Sequence, residues 1–160
     1  MANELKTQGT ALYFVKPGTP TGTAVKVTCP TGISGLGGAA DQIDTTCLDD
    51  TDDRQYVRGL GNPGQVTVPF VLKAGDASHA DLIALKAAGT SVEWMVCMSD
   101  ATTAPTVTTS TNSFTALTTR SNIEFTGYVS DITIDAAGNE VVRGTMTIQR
   151  AGAWTVTWKA

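Results

Sequence analysis

The sequence has 160 residues, of which only 16% are charged, and a formal net charge of −4. Its length suits one ordinary domain with its own core, so we predict a single domain over residues 1–160. The acidic balance and the lack of any basic tract argue against a protein that binds nucleic acid tightly through counterion release.

Two short segments rich in β-branched and aromatic residues come first along the chain. They are "ALYFVK" (11–16) and "TAVKVT" (23–28), and the turn-forming residues "PGTPTG" separate them. We predict two strands that form a hairpin or an adjacent pair.

The segment "QVTVPFVLK" (65–73) alternates apolar and polar residues with the period of a half-buried strand. Its proline has no N–H to donate to a ladder, which indicates a sheet edge or a bulge at that point. The predicted apolar face carries Val66, Val68, Phe70 and Leu72.

The segment that follows is the one convincing helix, predicted over residues 76–89. Asp76 or Ser78 is suited to cap its start, and Gly89 is suited to end it. The predicted apolar stripe consists of Leu82, Ile83 and Leu85.

The second half of the chain reads as strands around one polar loop. "SVEWMVCMS" (91–99) is apolar on nearly both sides, which predicts a central strand, and the threonine-rich residues 100–120 predict a surface loop. Three further strands are predicted, "NIEFTGYVSDITID" (122–135), "EVVRGTMTIQR" (140–150) and "AWTVTWK" (153–159). The order of strands, one helix and more strands predicts a mainly β fold, an antiparallel sandwich or barrel with a flanking helix.

No pattern of catalytic residues emerges from the sequence. "GLGGAA" (35–40) fits a loose dinucleotide fingerprint, but the residues after it are poor helix formers, so a flexible glycine hinge is favoured. The lone histidine, His79, is placed by default at the helix surface, with no nucleophile motif beside it. We predict a protein that is not an enzyme and uses no cofactor.

Metal and thiol chemistry are also disfavoured. "DDTDDR" (49–54) lacks the glycine and closing glutamate of a calcium loop, so we expect a solvated or inter-subunit charge cluster rather than a metal site. Three widely spaced cysteines indicate neither a disulfide framework nor zinc knuckles, and we expect reduced, mostly buried thiols. The first ten residues lack a signal-peptide core and no apolar run is long enough to span a bilayer, so we expect a soluble protein made in the cytoplasm.

The connection from residue 29 to residue 64 is too long for an unstructured loop unless it binds something. It contains several apolar residues, and "IDTTCL" and "RQYV" are predicted as short strands that pair with each other or extend a neighbouring sheet. The low charge content also indicates that neighbouring subunits cover much of the surface. We therefore predict an assembly arm that orders against another copy.

Several of these segments together resemble the major tail tube proteins of long-tailed, siphovirus-type bacteriophages. They are "IDTTCLDDTDDRQYVRGLGNPGQVTVPF" (43–70), "DASHADLIALKAAG" (76–89), "SVEWMV" (91–96) and "VVRGTMTIQRAGAWTVTW" (141–158), in the same order as in that family. The resemblance extends from residue 43 to the end of the sequence. Tubes of contractile tails and type VI secretion systems share the implied fold.

The resemblance implies a protein of the virion tail that is assembled in the cytoplasm of the host bacterium. Its six-membered rings would stack into a hollow tube through which double-stranded DNA is ejected without specific binding. The implied partners are further copies of the chain, the tape-measure protein, the tail terminator and baseplate or tip proteins. No appended immunoglobulin-like domain is expected. The candidates for lumen-facing residues are Glu93 and Glu124. Candidate inter-subunit or inter-ring residues are Asp44, Asp49, Asp50, Asp52, Asp53, Arg54, Tyr56 and Arg58.

One alternative function of another class remains open from the sequence. The threonine-rich composition also suits a secreted or adhesin-like β-sandwich that acts as a binding module. The lack of a signal peptide and the unpaired cysteines speak against it.

Overall fold

The computed structural model of the protein describes residues 4–160. These residues form eight strands and one helix. In chain order the elements are β1 (Ala11–Lys16), β2 (Thr23–Lys26), β3 (Ala40–Asp44), β4 (Tyr56–Gly61), β5 (Gln65–Val71), α1 (Ala77–Ala88), β6 (Val92–Cys97), β7 (Asn122–Asp135) and β8 (Arg143–Thr157).

Six strands form one sheet in the order β2-β1-β6-β7-β8-β5, and β3 and β4 form a separate two-stranded sheet. Every neighbouring pair is antiparallel. The predicted fold class, mainly β and antiparallel with one helix, is confirmed. The predicted pairing of the first two segments is also confirmed.

The two strands predicted at the end of the chain are in fact one strand, β8. The ladder with β7 skips from Thr155 to Ala151 while β7 advances only from Glu124 to Thr126, so β8 bulges there. Gly152 sits in the bulge with a φ of 77°, which glycine adopts without strain. Gly152, which lies between the two predicted strands, is therefore a bulge within one continuous strand.

The open edges of the large sheet approach each other because the chain after β2 crosses to β5. The Thr31 N–H donates to the Pro69 carbonyl at 2.8 Å, and Ser34 and Thr67 exchange backbone hydrogen bonds at 3.0 and 2.9 Å. The backbone nitrogen and carbonyl of Pro69 face this crossing segment rather than β8. The missing N–H of Pro69 therefore removes no hydrogen bond from the ladder between β5 and β8. The sheet thus curls toward a barrel, and Pro69 lies on its last strand, as predicted.

The core lies inside this curled sheet and is centred on β6, the predicted central strand. Trp94 is 0% exposed, its ring centroid lies 5.4 Å from that of Phe14, and its indole N–H donates to the Gly127 carbonyl. A second apolar cluster lies on the outer face, where Phe114 from the threonine-rich loop covers Met95. The loop is thus at the surface, as predicted, but it is anchored.

The buried Arg120 anchors the end of that loop through hydrogen bonds to the backbone. It is buried, and its guanidinium donates to the carbonyls of Met98, Thr103, Gly9 and Cys97. One side chain therefore links the N-terminal segment, the end of β6 and the loop, because a buried guanidinium needs several acceptors.

Helix α1 begins and ends where its capping residues predict. The Asp76 carboxylate accepts hydrogen bonds from the backbone N–H groups of Ser78 and His79, and Gly89 ends the helix with a φ of 64°. Hydrogen bonds from the Ser78 and Thr28 hydroxyls lower the pKa of Asp76 to about 2. No helix in residues 4–160 has the length and apolar character needed to cross a bilayer.

Two residues of the helix were placed wrongly from the sequence. Ile83 is 50% exposed, because only Leu82 and Leu85 of the predicted stripe face the sheet. His79, predicted at the surface, is only 4% exposed, because it precedes Leu82 by three residues and shares its face. Its Nε2 lies 3.0 Å from the Thr28 carbonyl and its Nδ1 accepts from the Lys73 N–H, so it joins the helix to two chain segments.

We expect His79→Ala to destabilise the subunit by about 2 kcal/mol, because the buried imidazole would leave a cavity and the backbone groups of Thr28 and Lys73 would lose a hydrogen-bond partner. Ile83→Ala in the same helix is the matched control and is expected to cost less than about 1 kcal/mol. Denaturant unfolding of the two isolated variants measures the difference. Equal losses would contradict a structural role for the histidine.

Candidate assembly surfaces

Residues 37–64, called the arm below, contain the small sheet and connect the crossing segment to β5. Ile43 pairs with Val57 and Asp44 with Tyr56, so the two predicted short strands do pair with each other. They lie at 40–44 and 56–61 rather than at the predicted positions. The ladder stops at Asp44 because its carboxylate accepts from the N–H and hydroxyl of Thr46 and turns the chain.

The arm exposes apolar side chains that a free domain would bury. Neither of its strands pairs with the main sheet. Leu48 is fully exposed and Leu60 nearly so, and the other exposed members are Ile43, Tyr56 and Val57. A lone two-stranded sheet is marginally stable in water, so this arrangement indicates a surface that another chain covers.

The tip of the arm, residues 48–53, is acidic. It carries Asp49, Asp50, Asp52 and Asp53, all exposed, and the Asp50 carboxylate accepts from the Cys47 N–H at 3.0 Å. Hydrogen bonds from Thr46 lower the pKa of Asp44 at the start of the tip. Across residues 4–160, no three histidine, cysteine or carboxylate side chains are grouped to hold a metal ion.

The two arginines of the arm do not neutralise these aspartates within the chain. The ion pairs among residues 4–160 are Lys16–Asp81 and Lys86–Asp131, both outside the arm. Arg54 and Arg58 are exposed, with Arg58 on β4 facing the base of the arm. The arm therefore holds all eight predicted assembly residues together but leaves their charges unpaired.

A cleft of about 420 Å³ lies between the base of the arm and β8. Arg58 and Arg150 line it, together with Trp154 and several small residues, and we call it the arginine pocket. Arg150 is only 3% exposed and donates to the Gly37 carbonyl of the arm. Arg150 was not predicted as a site residue from the sequence. The signal was its position on β8, where it follows Met146 and Ile148 at every second residue and so lies on the same face as these apolar side chains.

The two glutamates predicted as lumen candidates lie on the outer face of the sheet, on β6 and β7. The Glu93 carboxylate accepts from the Phe114 N–H at 2.8 Å. Burial and the nearby Glu93 raise the pKa of Glu124. With Thr126 and Thr155 they line a shallow polar hollow, so this part of the outer face is not an apolar packing surface.

The glycine-rich segment and the cysteines have structural explanations. "GLGGAA" leads into strand β3 rather than a helix, and Gly35 has a φ of 85° against the Gln65 backbone, where a Cβ would collide. The prediction of mostly buried thiols was wrong, because Cys29 and Cys47 are exposed. Only Cys97 is buried, and burial raises its pKa to about 11.

Comparison with known proteins connects this arrangement to a family. A family model described as phage tail tube, lambda-like, matches residues 3–160. The chain is 39% identical over 153 residues to "Structural protein 3" of Pseudomonas phage PAJU2, covering 94% of this chain and 92% of that protein.

Solved structures with a similar fold have much lower identity. The SPP1 tail tube, determined by solid-state NMR and cryo-EM, aligns with a TM-score of 0.69 at 12% identity, over 96% of this chain and 79% of that one. The tail of a gene transfer agent particle with C6 symmetry aligns with a TM-score of 0.67 at 14% identity, over 96% and 99% of the two chains.

We expect Glu124→Gln to stabilise the isolated subunit slightly at neutral pH. A carboxyl whose pKa rises on folding costs stability when ionised, and the cost disappears as the pH falls through that pKa. The gain should be on the order of a few tenths of a kcal/mol because the group is only partly buried. Thermal unfolding at neutral and acid pH, with exposed Glu140→Gln as control, measures it; a loss of stability would contradict the assignment.

Proposed function

Because the chain belongs to the lambda-like phage tail tube family, we propose that six copies form a ring and that rings stack into a hollow tube for DNA ejection. The protein is a structural component of the virion tail and not an enzyme. The observation that carries the proposal is the arm, an exposed apolar hairpin with an acidic tip.

Ring closure is proposed to use the unpaired part of β8. Strand β5 pairs with β8 only from Arg143 to Gln149, so residues 151–157 have β7 on one side and no strand of the described residues on the other. Strand β2 is the opposite edge of the sheet order. Edges of this kind add strands from a neighbour through backbone hydrogen bonds, so the six sheets could join into one barrel.

Stacking of rings is proposed to use the arm. Its predicted assembly residues are exposed and make no ion pair within the described chain, so their charges are available to a copy in the adjacent ring. Its apolar side chains supply the area that stable contacts require. The tape-measure protein, the terminator and baseplate proteins are proposed as further partners on the strength of the family alone.

The lumen is proposed to be acidic and to include Glu93 and Glu124. A tube that conducts DNA must not bind it tightly. Carboxylates repel the phosphates, whereas lysine and arginine side chains would bind them and release counterions. The support is the polar character of the outer face around these two residues.

Negative-stain electron microscopy of the purified protein at rising concentration tests the proposal. We expect hollow tubes or stackable six-membered rings. Replacing residues 48–53 by a short glycine-serine linker should leave rings and abolish tubes, because it removes the acidic tip and the exposed leucine. The same linker in place of residues 136–139, the turn between β7 and β8, is the control and should leave tubes intact.

Wild-type protein that stays monomeric even with a tail initiator complex would contradict the assembly proposal. Tubes of normal length from the variant without the tip would contradict the role of the arm.

A further inference from the structure

We propose that the arginine pocket at the base of the arm receives aspartates from the arm tip of a second copy of this chain. The inference rests on the proposed function and extends it by naming the acceptor of the arm. In a stacked tube the second copy belongs to the adjacent ring.

The first argument is a buried cation without a counter-charge. The Nε of Arg150 is buried and has no hydrogen-bond partner in the described part of the chain, and the side chain donates only to the Gly37 carbonyl. Its guanidinium lies 5.9 Å from the centroid of the Trp154 ring, which compensates the charge only in part. A buried charge left unpaired is costly, so a ligand that brings a carboxylate would be stabilised there.

The pKa of the Arg150 guanidinium is lowered by burial, in keeping with a site that lacks an anion. Arg58 places a second cation on the same pocket, and none of the residues that line it is acidic. Two guanidinium groups around a cleft bind carboxylates well because each offers paired donors in a fixed plane.

The second argument is the complementary charge of the tip. Asp49, Asp52 and Asp53 make no side-chain hydrogen bond or ion pair within residues 4–160. Leu48 next to them is fully exposed and offers an apolar contact. Within residues 4–160, the tip therefore carries carboxylates without a counter-charge, and the pocket carries cations without one.

The third argument is that the tip cannot reach the pocket of its own chain. The ladder from Ala40 to Asp44 separates the base from the tip by about 13 Å at roughly 3.3 Å per residue, and pairing with β4 keeps it extended. Tip and pocket thus meet only between copies. A head-to-tail contact of this kind repeats from copy to copy without limit, as a growing tube requires.

Cross-linking through the native Cys47 beside the tip tests the contact. In a Cys29→Ser background, Ala153→Cys places a thiol at the pocket, and Ile134→Cys provides a control thiol. Ile134 pairs with Gly144, about 20 Å along β8 from Arg150. On oxidation of assembled tubes, the Ala153→Cys protein should give about tenfold more linked chains than the control.

A charge exchange provides the second measurement. Arg58→Glu should raise the protein concentration needed for tubes by about tenfold or more, and adding Asp52→Arg to it should reverse much of that loss. Arg143→Glu, an exposed arginine outside the pocket, is the matched control and should leave assembly unchanged.

The outcomes separate this inference from the function on which it rests. Wild-type tubes with no excess of links at position 153 and normal assembly of Arg58→Glu would overturn the pocket as acceptor while leaving the tube function intact. Absence of tubes from the wild-type protein with an initiator would overturn both.

Discussion

The structure depends on the long pairing of β7 with β8, because β8 changes its neighbours halfway along. From Arg143 to Gln149 it pairs with β5 on one side and β7 on the other. Beyond Gln149 the β5 side is open, and the arm leaves the sheet at that level, where Gly64 accepts from the Arg150 N–H. The first half of β8, paired on both sides, contributes to the core. The second half, paired only with β7, offers an edge to neighbouring subunits.

Arg150 lies at this transition and connects β8 to the base of the arm. Its residue position continues the inward alternation of β8, where an apolar side chain would complete the core. A guanidinium there reaches the arm instead and donates to Gly37. The chain therefore gives up some core packing to hold the base of the arm against the sheet, and the cost is recovered only when an anion reaches the pocket.

The sequence predicts the strands and the helix that have a clear periodicity. It does not predict features that depend on contacts between residues far apart in the chain. Strands β1, β5, β6 and β7 and the ends of α1 follow from alternation and capping. His79 and Cys29 were misplaced because their burial depends on which chain segments cross nearby. The predicted assembly residues do share one arm, but Arg150 lies far along the chain, and only the sheet register places it beside Arg58 at the base of that arm.

The distribution of charge refines the argument about DNA. Residues 40–61 contain six aspartates and two arginines, a formal charge of −4, which equals the net charge of the whole chain, so the remaining residues are balanced. The subunit's net charge therefore resides on the arm and not on the surface of the sheet. The arm's two arginines are already counted in this −4, so pairing between copies fixes the position of these aspartates but leaves a net negative charge on the arms. On the sheet itself positive and negative charges balance, so its contribution to the repulsion of DNA depends on where individual carboxylates lie, such as Glu93 and Glu124 in the proposed lumen, and not on the sum of charges per ring.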